Sequence, residues 1–365
     1  MNAKKLLFAV FTLLALGLVF ISVSSISEAD YTAGDKLYFI KKQLIWSVIG
    51  IFTFFIATKI NLGLIKKYSF FFFVLSLILL GLIFVPNLST QTLGARRWLD
   101  LGFIGVQPSE ILKLGALIFF SKLFSDIKGL NIKNLIIYLG IPLTLVILEP
   151  NLSTAVLIAA IVITLYYLAG GEIVSLFALC VTAVLISVIL IATSPYRRAR
   201  LDSTSYHSSQ MVIALTSGNI IGKGFANSEQ KYRFLPKIST DSIFAVIGEE
   251  LGFVGGLAII SLYLFLILTT INIGQSATDK FSSLFCTGTA CWLAYQSLIN
   301  ISAVVALIPL TGVPLPLISY GGSSLVTLMF ALGLVYSISS ENQKDSHHHR
   351  HSPHSRHRAH PTLKE

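Results

Sequence analysis

Three groups of polar residues interrupt an otherwise greasy chain, and their side chains are the ones able to do chemistry. The first is Gly94-Ala95-Arg96-Arg97-Trp98, followed by Gln107-Pro108-Ser109-Glu110-Ile111-Leu112-Lys113. Two guanidinium forks and an ammonium suit a phosphate or diphosphate. Pro108 and Ser109 suit a helix start, which makes Glu110 and Lys113 i, i+3 neighbours that could instead form a plain salt bridge. The second group runs from Thr240-Asp241-Ser242 to Gly248-Glu249-Glu250-Leu251-Gly252. Asp241 reads either as a helix cap with Thr240 or as a carboxylate base at a membrane surface. Glu249 lies about 12 Å further along a helix rising about 1.5 Å per residue. With Glu250 it would either pair inside a helix bundle or meet a ligand. The third group is Gln296 and Asn300 in an apolar helix, then Pro309-Leu310-Thr311-Gly312-Val313-Pro314-Leu315-Pro316-Leu317-Ile318-Ser319-Tyr320-Gly321-Gly322-Ser323-Ser324. Three prolines and a glycine pair break any helix there. Irregular backbone survives at membrane depth only where it is buried or lines a cavity, so a re-entrant loop beside a cavity is expected. Broken helices also serve transporters, and this group alone does not select an enzyme.

The elements that must position these groups follow from composition. The chain has 365 residues, 54% apolar and only 12% charged, with mean hydropathy +0.77. That charge is about half the usual 25% or so of soluble domains. The composition excludes a soluble globular enzyme and a disordered chain. The apolar residues fall in blocks of about 20, enough to cross a bilayer as helices. An all-α polytopic membrane protein of about ten spans is predicted, at roughly 6–26, 43–60, 69–86, 109–125, 134–149, 153–169, 173–193, 243–272, 282–308 and 322–340. The first block resembles a signal peptide but has only a weak cleavage signal, and it is read as a retained span. Residues 1–340 form the membrane domain. Residues 341–365, rich in His and Arg, are expected to be a disordered tail. Cys180, Cys286 and Cys291 all lie in apolar blocks, so neither a disulfide framework nor a metal set is suggested.

Basic residues in short loops set the orientation. Lys4, Lys5, Lys59, Lys66, Lys67, Lys122, Lys128, Lys133 and Lys280 fall on one side with the tail. Fewer, namely Lys36, Lys41, Lys42, Arg96 and Arg97, fall on the other. Both termini are therefore expected in the cytoplasm. The long outer loop, about 194–242, departs from that bias. It carries Arg197, Arg198, Arg200, Lys223, Lys231, Arg233 and Lys237 against Asp202, Glu229 and Asp241, a net of +4. Long loops are partly exempt from the rule; the functional reading is an electropositive surface for an anionic ligand. Its apolar stretches, Met211–Leu215 and Ile220-Ile221, predict short helices lying in or dipping into the interface.

These motifs together resemble the SEDS family of shape, elongation, division and sporulation proteins, over nearly all of residues 1–340. Gly94–Trp98 with Gln107–Lys113 resembles the family's second outer loop and fourth helix. Tyr206–Gln210, Ser217, Gly222, Gly224 and Asn227-Ser228-Glu229-Gln230-Lys231 resemble its long outer loop. Leu235-Pro236, Thr240-Asp241 and Gly248–Gly252 continue the match, and Pro314–Ser324 resembles its final re-entrant signature. Gln230-Lys231 and the run at 247–250 look more like the FtsW branch than the RodA branch. There are departures. In Glu149-Pro150-Asn151-Leu152-Ser153 the family often has Asp third and Gly fifth. Asn219 stands where glycine is usual, and Ser242 where Phe is common.

The resemblance implies a peptidoglycan glycosyltransferase of the bacterial cytoplasmic membrane. Its substrate is lipid II, an undecaprenyl-diphosphate-linked disaccharide pentapeptide. Its partner is a class B penicillin-binding protein, within the division or elongation machinery, and its surroundings are membrane lipid, not nucleic acid. The implied reaction is a one-step inverting transfer at the outer face, and such a step needs a base and cations but no carboxylate nucleophile. Asp241 is the candidate base. Arg96, Arg97 and Lys113, with Lys231 and Arg233, are candidates for the diphosphate, and Glu110, Gln210, Glu249, Asn300, Ser319 and Ser323 complete the substrate-binding set. No protein-only metal cage is visible; Mg²⁺ or Mn²⁺ held mainly by diphosphate oxygens would fit. A lipid II flippase and a non-catalytic scaffold for the penicillin-binding protein are the competing classes.

Overall fold

The computed structural model describes residues 2–85, 88–92, 95–100, 105–126, 130–193, 195–231 and 238–351. In chain order the helices are α1 (Asn2–Ser24), α2 (Ile26–Ala33), α3 (Tyr38–Lys59), α4 (Leu62–Lys67), α5 (Ser69–Gly81), α6 (Pro108–Ser125), α7 (Ile132–Leu148), α8 (Leu152–Leu168), α9 (Ile173–Thr193), α10 (Pro195–Ser217), α11 (Ile243–Gln275), α12 (Lys280–Val304) and α13 (Gly322–His351). Each expected span falls on one of them. Asparagine caps recur where helices begin: Asn61 accepts from the amide of Gly63, Asn131 from Lys133 and Asn151 from Thr154. These bonds satisfy amides that a helix start leaves orphaned. Among the described residues, four helices are long and apolar enough to cross a membrane by length and composition, at Asn2–Ser24, Tyr38–Lys59, Ile243–Gln275 and Gly322–Asn342. Three shorter apolar helices accompany them.

The bundle is built around α12, which packs on α6, α8, α11 and α13. Its Trp292 is fully buried. α3 and α13 lie together, with Phe54 against Tyr336 at 6.1 Å between ring centroids. Outward faces carry Val48 and Phe52 on α3, Val174 and Phe177 on α9 and Phe253 and Leu264 on α11, all exposed. In a membrane these are the faces that meet lipid tails.

Three features depart from the expected outline. Between α5 and α6 the chain forms an antiparallel sheet of β1 (Ser89–Thr92), β2 (Ala95–Asp100) and β3 (Gly105–Val106), in that order. The 194–242 loop holds one 23-residue helix, α10, in place of several short ones. No glycine interrupts Pro195–Ser217, so nothing stops that helix before Gly218. α13 runs to His351, beyond the expected end of the last span at 340. No proline or glycine lies between Gly333 and Pro353 to end it. Residues 352–365 lie outside the described residues.

α11 is broken at Gly252, where φ is 68° and ψ −166°. The break frees carbonyls and amides that a continuous helix would pair. The 219–224 segment takes them up: Lys223 and Gly224 donate their amides to the carbonyls of Glu249 and Glu250 (3.0 Å each). Phe253 and Val254 donate theirs to the carbonyls of Asn219 and Ile220 (2.9 and 3.1 Å). Asn219 adopts φ 49°, a left-handed conformation that asparagine tolerates better than most residues. A Cβ on residue 252 would collide with the amide nitrogen of Gly222 and the carbonyl oxygen of Ile220. Gly252→Ala is therefore expected to cost at least about 1–3 kcal/mol from backbone strain alone. Thermal unfolding in detergent measures it.

Candidate active site

Part of each of the three sequence motifs contributes to one buried seam. At the start of α6, Glu110 and Lys113 form an ion pair at 2.7 Å, both side chains 5% exposed or less. The i, i+3 spacing on one helix makes the pair local. Lys113 Nζ also donates to Gln296 Oε1 at 3.2 Å and lies 5.0 Å from the ring centroid of Trp292. An ammonium in a dry bundle is costly unless its donors are met; here a carboxylate, an amide oxygen and an aromatic face meet it.

Gln296 carries the seam onward. Its Oε1 also accepts from Trp292 Nε1 at 2.7 Å, and its Nε2 donates to the carbonyl of Pro314 at 2.9 Å and to Ser324 Oγ at 3.5 Å. One turn further along α12, Asn300 Nδ2 donates to the carbonyls of Val313 (2.9 Å) and Asp241 (3.2 Å). The irregular segment between α12 and α13 is thus held by side chains in place of a helix ladder. Ser319 Oγ accepts from the amide of Leu315 at 2.9 Å, Ser323 Oγ accepts from the amide of Gln107 at 3.0 Å, and the hydroxyl of Tyr263 donates to the carbonyl of Pro316. The amide of Tyr320 donates to the carbonyl of Ser239 at 2.8 Å. Leu315, Leu317 and Ile318 are buried, so the second half of this segment is enclosed in protein, while Val305 and Leu307 before it are exposed.

Asp241 is 4% exposed. Helix α11 begins at Ile243 with Ser242 as the cap residue and no side-chain cap bond, so Asp241 is not the cap that its position suggested. Arg97, on β2, reaches the turn between α7 and α8 and donates to the carbonyl of Pro150. In the same turn Glu149 is 1% exposed and accepts from Ser109 Oγ at 3.5 Å. Asn151 donates to that same hydroxyl at 3.5 Å and caps α8. Ser153 donates to the carbonyl of Thr311 at 3.0 Å.

Other candidates sit in a second cluster beside the α11 break. The Glu249 carboxylate accepts from Lys223 Nζ (3.0 Å), Ser228 Oγ (2.5 Å), Ser217 Oγ (3.3 Å) and the amides of Glu229 and Gln230 (3.2 and 3.3 Å). Glu250 pairs with Lys231 at 3.1 Å, and Lys231 is 3% exposed. This is the pairing reading of the two glutamates: they pin the 217–231 segment to the bundle. Ser27 Oγ donates to the carbonyl of Lys231 at 2.5 Å, and Glu28 accepts from the amide of Ser239 at 2.9 Å, so α2 helps to hold the same loop. Hydrogen bonds to Glu249 and Glu229 hold the Lys223 ammonium above its ordinary pKa of 10.5. Its tether is therefore complete below that ordinary value and is lost as pH rises through the raised one. Glu249→Gln removes the charge from these bonds, worth about 1.5–3 kcal/mol each at most. Faster amide hydrogen exchange across residues 217–231 is the expected result, with α12 unchanged.

Gln210 lies half-buried on α10. The backbone of Arg96 is on β2, paired across the sheet with Gln91. Arg233 lies outside the described residues. Among the described residues no group of three His, Cys, Asp or Glu gathers that could hold a metal ion. The sequence singles out Gln296 as a buried polar residue but does not put it in the substrate-binding set, and Trp292 goes unmarked. A signal for them exists: positions 292, 296 and 300 recur at i, i+4 and so share a helix face.

A family model described as cell cycle protein, FtsW/RodA/SpoVE, matches residues 4–344. The chain belongs to the FtsW/RodA/SpoVE family. It is 34% identical over 356 residues to the "Probable peptidoglycan glycosyltransferase FtsW" of Coxiella burnetii, covering 91% of this chain and 94% of that one. It is 32% identical over 362 residues to stage V sporulation protein E of Bacillus subtilis, covering 93% and 99%. Among solved structures, the rod shape determining protein RodA of Thermus thermophilus superposes with TM-score 0.71 at 25% identity, covering 92% of this chain and 96% of that one. This member of the FtsW/RodA/SpoVE family is thus an all-α, multi-pass membrane protein, and the match spans both polar clusters.

Proposed function

We propose that this chain is a peptidoglycan glycosyltransferase that polymerises lipid II at the outer face of the bacterial cytoplasmic membrane, with both termini in the cytoplasm. The observation that supports the reading is the Asn300 amide, which ties the main chain of Asp241, the candidate base, to the irregular segment before α13. Relatives named as peptidoglycan glycosyltransferases support the reaction class.

In this reading the 4-hydroxyl of the acceptor N-acetylglucosamine attacks C1 of the donor N-acetylmuramic acid. The Asp241 carboxylate takes the hydroxyl proton. The C1–O bond to undecaprenyl diphosphate breaks, its electron pair leaves with the diphosphate, and α linkage becomes β. Cations near the leaving oxygens stabilise the charge that develops there. Arg97, with Arg96 beside it in sequence, suits that role, because a guanidinium is a planar fork of donors and the Pro150 carbonyl holds this one in place. Lys113 is better suited to an indirect role, since Glu110, Gln296 and Trp292 already surround its ammonium. Mg²⁺ or Mn²⁺ would fit as a cation carried mainly by diphosphate oxygens, ligands of the hard type such ions take; it would add positive charge at the leaving group.

A class B penicillin-binding protein is the proposed partner. A chain from a peptidoglycan synthase complex described as coordinating polymerisation and crosslinking shares the fold, with TM-score 0.75 at 24% identity. The test is reconstitution of the full chain with that transpeptidase in liposomes carrying lipid II. Glycan strands on a gel are expected. Head-group movement without glycan would make the chain a flippase, and neither would leave it a scaffold.

A further inference from the structure

We propose that Gln296 is a positioning residue for polymerisation, coupling the buried Lys113 ion pair to the re-entrant segment that lies beside Asp241. The proposal rests on the polymerase reading above for its kinetic consequence, but not for the coupling itself.

Only one orientation of the Gln296 amide fits its surroundings. Lys113 Nζ and Trp292 Nε1 are donors with nothing to accept, so the amide oxygen must face them. The carbonyl of Pro314 can only accept, so the amide nitrogen must face it. With Ser324 Oγ as the second acceptor, both protons and both lone-pair sites of the amide are used. Gln296 is fully buried, so water does not compete for these bonds. The side chain thus joins three elements: α6 through Lys113, the re-entrant backbone through Pro314, and the first turn of α13 through Ser324. Pro314 neighbours Val313, whose carbonyl shares Asn300 with the carbonyl of Asp241. A shift of the Lys113–Glu110 pair would be passed by Gln296 to the backbone that Asn300 ties to Asp241.

Two substitutions separate this from general packing. Gln296→Leu keeps the approximate volume and removes all four bonds. Gln296→Glu keeps the two accepted bonds but turns an oxygen toward the Pro314 carbonyl in place of a donor. Steady-state polymerisation of lipid II by the full chain with its transpeptidase should show kcat, per folded molecule, lowered about tenfold or more in both, with KM changed less than about twofold. Lys113→Met should lower kcat similarly. The double variant Gln296→Leu/Lys113→Met should be no slower than the slower single variant, because residues acting as one unit are non-additive. Losses that multiply in the double variant, or that fall in KM, overturn the proposal.

An arm independent of activity is hydrogen exchange on the full chain. The Leu315 and Ser319 amides, held by Ser319 Oγ and the Leu315 carbonyl, should exchange about tenfold faster in both Gln296→Leu and Lys113→Met. Unchanged exchange in either variant overturns the coupling. Wild-type protein that makes no glycan defeats the polymerase reading instead, and the exchange comparison still decides whether Gln296 couples the two elements.

Discussion

Asp241→Asn is expected to abolish lipid II polymerisation while the protein folds, enters the membrane and binds its transpeptidase as before. Asparagine matches aspartate in shape but cannot take a proton from the acceptor hydroxyl. General-base catalysis contributes about 10²–10⁴-fold, so polymerisation should drop by at least that range. The fold should survive because the main chain of this residue carries a contact that places it: Asn300 donates to the Asp241 carbonyl, which the substitution leaves intact. The helix start is likewise untouched, since Ser242 and not Asp241 occupies the cap position. Glycan formation by reconstituted protein, alongside size-exclusion behaviour and transpeptidase co-purification, measures all three. A well-folded Asp241→Asn protein that still polymerises would move the base elsewhere.

The second large effect is on stability. Glu110→Gln should destabilise the protein by about 3–5 kcal/mol, the usual cost of breaking one side of a buried pair. Both partners are nearly inaccessible, at 1% and 5% side-chain exposure, and the remaining Lys113 ammonium would keep only an amide oxygen and an aromatic face. Replacing both, as Glu110→Gln/Lys113→Met, should recover most of that loss, because no uncompensated charge is left. Polymerisation should stay low in the double variant, since the link from Lys113 to Gln296 is gone. Thermal unfolding of the two variants in detergent checks the first half, and polymerisation the second. Recovery of activity together with stability would show that the pair serves only the fold.

These residues also show where sequence reasoning ends. The i, i+3 spacing of Glu110 and Lys113 predicts their pairing, because both partners sit on one helix and the geometry is local. The proline-rich run at 309–316 predicts a non-helical segment for an equally local reason, the missing amides and fixed φ of proline. The spans follow from apolar blocks whose length matches a bilayer. Lys231 and Glu249 are different. Their charge and position suggest a ligand, yet Lys231 spends its ammonium on Glu250 and Glu249 spends its carboxylate on loop donors. Glu250 is 19 residues from Lys231, and Ser228 is 21 from Glu249. No periodicity links a loop to the helix it docks on.

Composition and short-range spacing were enough to specify a multi-pass helical membrane protein, the positions of its helices and the irregular segment before the last of them. They carry that information because helices and their breaks are set by nearby residues. Which polar groups meet was settled by packing alone. The packed bundle enclosed Lys113 between Glu110, Trp292 and Gln296, docked the 219–224 backbone into the α11 break at Gly252, and hung both Asp241 and the re-entrant wall from Asn300. A buried polar atom must find a partner wherever the packed helices bring one, and that choice is made between elements far apart in the chain.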